Sequence, residues 1–160
     1  MPSSIQIIPF RSNLASAFTE LNRAWIERLF SLETADEKIL KNPKGAIVDR
    51  GGQVFFAMDG SQPVGTVAAI RDSAGRYELA KMAVDPAHQG RGIGKLLGQA
   101  VVDFALSQGA KVLFLETSST LPNAIRLYER LGFRHAAPPK PSEYARSDVY
   151  MEIVFPVPKD

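Results

Sequence analysis

With 160 residues, 45% hydrophobic and 22% charged, the chain has the size and composition of one globular domain over 1–160. Nineteen basic against seventeen acidic residues leave a net charge of +2, too little to mark a nucleic-acid or anionic-lipid surface. No cysteine is present, which excludes disulfides, thiolate metal ligands and a cysteine-borne acyl intermediate, and the two histidines, His88 and His135, are too distant in sequence to suggest a metal centre.

Residues 1–10 lack a basic segment followed by a long apolar run, so no signal peptide is expected. No stretch approaches the roughly 18 apolar residues of a membrane span, and the expected location is the cytoplasm. Ile5, Ile7 and Ile8 predict a short strand ending at Pro9. Ser12 or Asn13 is expected to cap a helix whose apolar stripe runs through Leu14, Phe18, Leu21, Trp25 and Leu29. Thr34 with Glu37 three residues later reads as a capping box for a second helix that stops before Asn42-Pro43. Strand-like runs follow at 46–49, 53–58, 64–70 and 77–84, separated by Gly51-Gly52, Asp59-Gly60 and a turn at 72–75. Such short connections predict an antiparallel meander.

The pattern then changes. A helix is predicted over 92–108, with Ile93, Leu96, Leu97, Val101 and Phe104 on one face and Gly109 as its stop. The apolar run 112–115 predicts a strand covered on both faces. A helix over 123–131, with Leu127 and Leu131 inward, ends at Gly132. A stiff Pro138-Pro139-Lys140-Pro141 loop leads to a last strand over 149–155, too apolar to be left as an open edge. The fold class is α/β with a mixed sheet.

The chemistry concentrates in Gln89-Gly90-Arg91-Gly92-Ile93-Gly94-Lys95, a glycine-dense turn that follows a strand broken by Pro86 and opens into an amphipathic helix. Alternate glycines let main-chain N–H groups approach a ligand, and the helix N-terminus adds free donors and partial positive charge. Arg91 and Lys95 supply full charges, which makes this a place to hold a pyrophosphate. The dinucleotide fingerprint G-x-G-x-x-G fails in both registers, because its third glycine would fall on Lys95 or Leu97. A Walker A loop fails as well, with Gln89 where its first glycine belongs and Leu96 where Ser or Thr belongs.

What remains resembles the GCN5-related N-acetyltransferase (GNAT) superfamily, whose signature Gln/Arg-x-x-Gly-x-Gly/Ala is matched by Gln89 to Gly94. The resemblance extends to Glu78–Pro86 upstream and to Asn123-Ala124-Ile125-Arg126-Leu127-Tyr128 with Gly132-Phe133 downstream, and covers most of the chain from Gly45. It implies a single-domain fold with a mostly antiparallel twisted sheet, splayed at the coenzyme-binding strand pair and flanked by helices. It implies acetyl-CoA as co-substrate, no metal, and transfer of the acetyl group to a primary amine by direct attack in a ternary complex without a covalent acyl-enzyme. Backbone groups of Met82, Ala83 and Val84 would pair with the pantetheine arm, with the Val84 N–H on the thioester carbonyl. Gln89 through Lys95 would hold the pyrophosphate.

By the same resemblance Tyr128 is the candidate general acid, against the alternative of a packed helix tyrosine. Glu78 and Glu116 are candidate bases, or else a solvated strand residue and a turn cap. Asn123 would lie by the pantetheine or cap its helix. His88 is read as a surface residue, and Trp25 and Phe18 as core or as a wall of the acceptor groove. The acceptor site is expected between the first two helices and the loop 138–147, where Ser142, Glu143, Tyr144 and Arg146 could contact substrate. The acceptor is a small-molecule or protein amine, with no nucleic-acid or membrane partner, and a homodimer is left open. The alternative function is a non-catalytic acyl-CoA-binding sensor or regulatory module.

Overall fold

The structure, a computed structural model, describes residues 4–156. Residues 1–3 and 157–160, the two ends of the domain expected over 1–160 and the start of the segment read for a signal peptide, lie outside the described residues. β1 (Ile5–Pro9) forms one edge of the sheet, where a proline that cannot donate is tolerated. A 3-10 turn, Ser12–Leu14, leads into α1 (Ala15–Leu29). Neither Ser12 nor Asn13 caps it: the N-cap position falls on Leu14, and no side chain bonds the first turn.

The buried line of this segment is Leu14, Phe18, Asn22 and Ile26, spaced by four. Asn22 is tolerated there because its amide donates to the Phe18 carbonyl at 3.0 Å. Leu21, Trp25 and Leu29 lie off that line, and Leu29 is 46% exposed. The apolar stripe expected through them is therefore two faces, one turned to the core and one to a cleft.

α2 (Thr34–Leu40) begins one residue earlier than a Thr34 cap would place it. Glu33 takes the N-cap position, and its N–H donates to Asp36 Oδ2 at 2.9 Å. Glu37, expected to close that box, instead pairs with Arg23 at 2.8 Å. The run 46–49 is helical, not a strand. α3 (Pro43–Ala46) has Pro43 in its first turn and Asn42 accepting from the Gly45 N–H at 3.1 Å, and a 3-10 turn, Val48–Arg50, follows. Pro43 presets a helical φ, and buried Ile47 anchors the segment, so three apolar residues in four were no guide to period.

Among the described residues seven strands form one sheet in the order β1-β2-β3-β4-β5-β7-β6. β1, β2 (Gln53–Asp59), β3 (Gln62–Ser73) and β4 (Arg76–Val84) make the antiparallel meander. α4 (Ile93–Ser107) carries the chain to β5 (Val112–Thr117), which runs parallel to β4. α5 (Pro122–Leu131) and the two-residue β6 (Arg134–His135) follow, and β7 (Val149–Val154) lies between β5 and β6, paired on both sides. β6, two exposed residues, has no sequence signal of its own.

Alternation along β2 feeds two cores on opposite faces. Val54, Phe56 and Met58 pack with Phe18, Ile26 and Leu40 under α1 and α2, while Ala57 packs with Leu97, Val101 and Leu113 under α4. Leu96, expected on the buried face of α4, is 44% exposed, and the small residue Gly98 takes a buried place. α5 rides on α4 where α4 has no side chain: a Cβ on Gly94 would stand 3.1 Å from Leu127 Cδ2, and one on Gly98 would collide with Leu131.

Two irregularities of β4 position the site. Its pairing with β5 ends at Glu78↔Phe114, although β5 continues to Thr117, so the strands splay from Leu79 onward. On its other side the register jumps from Thr66↔Ala83 to Ala68↔Ala80, which sets Lys81 and Met82 against Val67 alone. Lys81 sits there at φ 55, the one non-glycine residue with positive φ among those described.

Candidate active site

The loop after β4 is built by its backbone. Gly90 and Gly92 have φ of 83° and 75°, and open space lies where their Cβ atoms would be, so left-handed conformation alone selects glycine at both. Gly94 has another reason, the close passage of Leu127. The first α4 bond runs from the Leu96 N–H to the Gly92 carbonyl at 3.2 Å, which leaves the amides of Ile93, Gly94 and Lys95 without intrahelical acceptors. Those donors, the helix dipole and the exposed Lys95 fit a diphosphate. Arg91 is turned toward Asp59 (Nη1–Oδ2 3.6 Å). His88 is no loose surface residue: its ring nitrogens lie 3.2 Å from Asp85 and 3.4 Å from Asp59.

From this loop a groove of about 710 Å³ runs past Met82 and Val84 to Asn123 and Tyr128 of α5. The Asp85 N–H donates to the Val64 carbonyl at 2.8 Å, and Val84 pairs with Gly65. Antiparallel alternation then turns the Val84 N–H away from β3, into the gap left by the splay. The same alternation turns Ala83 main-chain groups toward β3, and its side chain is buried in the core. Of the three β4 residues named for the pantetheine arm, Met82 and Val84 line the groove and Ala83 does not. Asn123 lies on the groove, but not as a cap: the N-cap position is Leu121, and the Asn123 amide oxygen accepts from Arg126.

Where the strands part, a second cavity of about 100 Å³ lies between α1, β4, β5 and the segment before β7. Glu78, Glu116, Tyr144 and Arg146 all reach it, whereas Phe18 is core, fully buried beneath α1. Met82, Trp25 and Tyr128 line both this cavity and the groove. Tyr128 is thus at the junction, its ring edge-on to Phe133 with centroids 6.1 Å apart. Burial pushes its hydroxyl up to about 12, so it keeps its proton.

Burial, and then the neighbouring Glu116 carboxylate, push Glu78 up to about 8 against the attraction of Lys81. It changes protonation near pH 8. Glu116 accepts from Ser142 Oγ at 2.7 Å, and that oxygen also accepts the Tyr144 N–H at 3.0 Å, which ties the segment before β7 to β5.

Two site residues had escaped the sequence reading. Lys81 Nζ meets Asp36 Oδ1 at 2.5 Å, and Arg146 bonds both oxygens of the same carboxylate at 2.6 and 2.9 Å. Burial alone would raise Asp36, but hydrogen bonds from Arg146 and Lys81 overcome it and hold the carboxyl at about 2. Arg146 also reaches Glu33 at 3.1 Å, and Lys81 donates to Tyr144 Oη at 3.2 Å. A lysine in a strand and an aspartate at a helix start look like surface residues, and nothing local relates 36, 81 and 146.

The model of the Acetyltransferase (GNAT) family matches residues 14–133. N-acetyltransferase 8B of Rattus norvegicus is 38% identical over 96 residues, which cover 57% of this chain and 43% of that protein, so the chain spans less than half the length of such curated relatives. An acetyltransferase of the GNAT family from Staphylococcus aureus superposes with a TM-score of 0.83 at 23% identity, over 93% of this chain and 98% of that one. A Salmonella typhimurium structure described with its cofactor acetyl-CoA gives 0.75 at 22% identity, over 98% and 99%. The solved structures establish the likeness of fold.

Proposed function

Since the chain belongs to the acetyltransferase (GNAT) family, we propose that it transfers an acetyl group from acetyl-CoA to a primary amine by direct attack in a ternary complex. The observation that carries this reading is the position of Tyr128, at the junction of a groove suited to an acyl carrier and a pocket that holds Glu78. Curated relatives include N-acetyltransferase 8B, and the Salmonella neighbour is described with acetyl-CoA, which supports acyl-CoA as the co-substrate.

When bound, acetyl-CoA supplies an acyl group activated as a thioester. Gln89 through Lys95 hold its diphosphate by main-chain donors, helped by the Lys95 ammonium, while Arg91 stays braced on Asp59. Met82 and Val84 line the arm's path, and the Val84 N–H is the donor assigned to the carbonyl oxygen, a contact of a kind typically worth ~3 kcal/mol. Asn123 flanks the same path. Glu78, ionised above about pH 8, takes the proton that an ammonium must lose before it can attack. Glu116, on the adjacent strand, adds to the rise of the Glu78 value. Tyr128 keeps its proton at any working pH and gives it to the departing thiolate.

A sensor that only bound acyl-CoA would have no use for a buried carboxyl that titrates near pH 8 and a protonated phenol lining one cavity, and both favour catalysis. The test is release of coenzyme A thiol from acetyl-CoA with a panel of small amines and amine-bearing peptides, wild type against Tyr128→Phe. Binding of coenzyme A without thiol release for any amine would return the sensor reading.

A further inference from the structure

Resting on the acetyl-transfer reading, we propose that the acceptor is a free zwitterionic α-amino acid, its carboxylate received by Lys81, Arg146 and Tyr144 and its amine faced by Glu78 and Glu116. The cavity at the splay is bipolar. Its carboxylates come from adjacent strands, Glu78 on β4 and Glu116 on β5. Its cations come from the β4 bulge and from the segment before β7. Their counter-charge lies behind them: Asp36 is fully buried and does not line the cavity, whereas Lys81 and Arg146 do. Glu33 pairs with Arg146 as well, so the two cations are balanced by two carboxylates outside the cavity lining, and a ligand meets the donor hydrogens those carboxylates leave over.

Donor capacity is left over. Two of the three Lys81 ammonium hydrogens are committed, to Asp36 and to Tyr144. Tyr144 Oη accepts that second bond, which leaves its own O–H to donate, and burial, more than nearby Asp36 and Glu78, keeps the phenol protonated. The backbone gives a second indication. The left-handed conformation of Lys81 costs a residue other than glycine about 1–2 kcal/mol, and a strut between helix and strand needs no such bend. The bulge sets Lys81 on the cavity wall.

Size agrees. About 100 Å³, walled by Trp25, Phe30 and Tyr144 and adjoining the larger groove at Met82 and Tyr128, has room for the carboxylate and amine end of a small acceptor. An alkylamine, a protein lysine or a peptide N-terminus would bring no α-carboxylate and would leave the donor wall unanswered.

The test measures thiol release for L-leucine, leucinamide and isoamylamine, and for L-phenylalanine, phenylalaninamide and phenethylamine. A charge-assisted carboxylate contact predicts that kcat/KM for each acid exceeds that of its amide and its amine by about tenfold or more. The amide has the less basic amine, so basicity works against this order. Tyr144→Phe, which keeps the ring, should narrow the acid-over-amide ratio several-fold through KM. Amides or amines turned over as well as the acids, or a Tyr144→Phe loss shared equally by all three, would overturn the proposal while acetyl transfer stands. No thiol release with any acceptor would overturn both.

Discussion

Lys81 and Asp36 join two distant parts of the chain inside the molecule: Nζ lies 2.5 Å from Oδ1, with the lysine side chain 5% exposed and the aspartate fully buried. Arg146 completes the contact on the same carboxylate, so β4, α2 and the segment before β7 meet at one charge. Two walls of the small cavity, β4 and the segment before β7, are tied to α2 by this triad. It sits beside the splay, where sheet hydrogen bonds no longer hold the strands together.

Asp36→Ala would leave the buried Lys81 without its carboxylate and Arg146 with Glu33 alone. Loss of one partner from a buried ion pair typically costs about 3–5 kcal/mol, and urea unfolding of Asp36→Ala should lose that much. The folded-state value of about 2 lies below the ordinary 3.8, so this group stabilises the fold above pH 3.8 and the benefit disappears as pH falls through 2. Asp36→Asn should accordingly show a weaker acid-side decline in stability than wild type.

Glu78 carries the opposite sign. Its carboxyl is raised from 4.5 to about 8, so its contribution to stability is complete below pH 4.5 and is lost as pH rises through 8. Glu78→Gln should flatten that part of the stability profile. Activity runs the other way, since only the ionised carboxylate accepts a proton: kcat/KM should climb through an inflection near pH 8. In Glu78→Gln the inflection should vanish and kcat fall by roughly 10²-fold or more. An unchanged pH profile in the variant would assign the base elsewhere.

Tyr128→Phe preserves the ring that meets Phe133 and removes only the hydroxyl. Thermal unfolding should stay close to wild type while kcat falls by about 10²-fold, as for other general acids. Equal kcat would make Tyr128 a packing residue.

The glycines divide by function, and two substitutions separate them. Gly92→Ala forces a side chain into left-handed backbone in open space, at a cost of about 1–2 kcal/mol, and should weaken coenzyme A binding by distorting the loop. Gly98→Ala drives a methyl group into Leu131 and should lower stability by about 1–3 kcal/mol through overpacking. Calorimetry on the folded fraction should find coenzyme A affinity reduced in the first variant and little changed in the second.

What the sequence makes legible follows from locality. The meander, the glycine-rich loop and both later helices are written in turns and periodicities a few residues long, and Tyr128 was a candidate from a family pattern over a short span. The phase of α1 was not legible, because Asn22 is buried on a bond to Phe18 while Leu29 is exposed. The segment 46–49 is too short to show a period. The Lys81–Asp36–Arg146 triad escaped because its members are ordinary charged residues until the fold assembles them, and the bend at Lys81 is imposed by β3 pairing on both sides of Val67.

The most direct test of the central claim is calorimetric titration of the purified chain with acetyl-CoA and with free coenzyme A. Saturable binding at one site per chain, weakened in Gly92→Ala, is the predicted result. Absence of any heat of association for either compound at millimolar concentration would contradict the assignment of the loop, and the acetyl-transfer account would go with it.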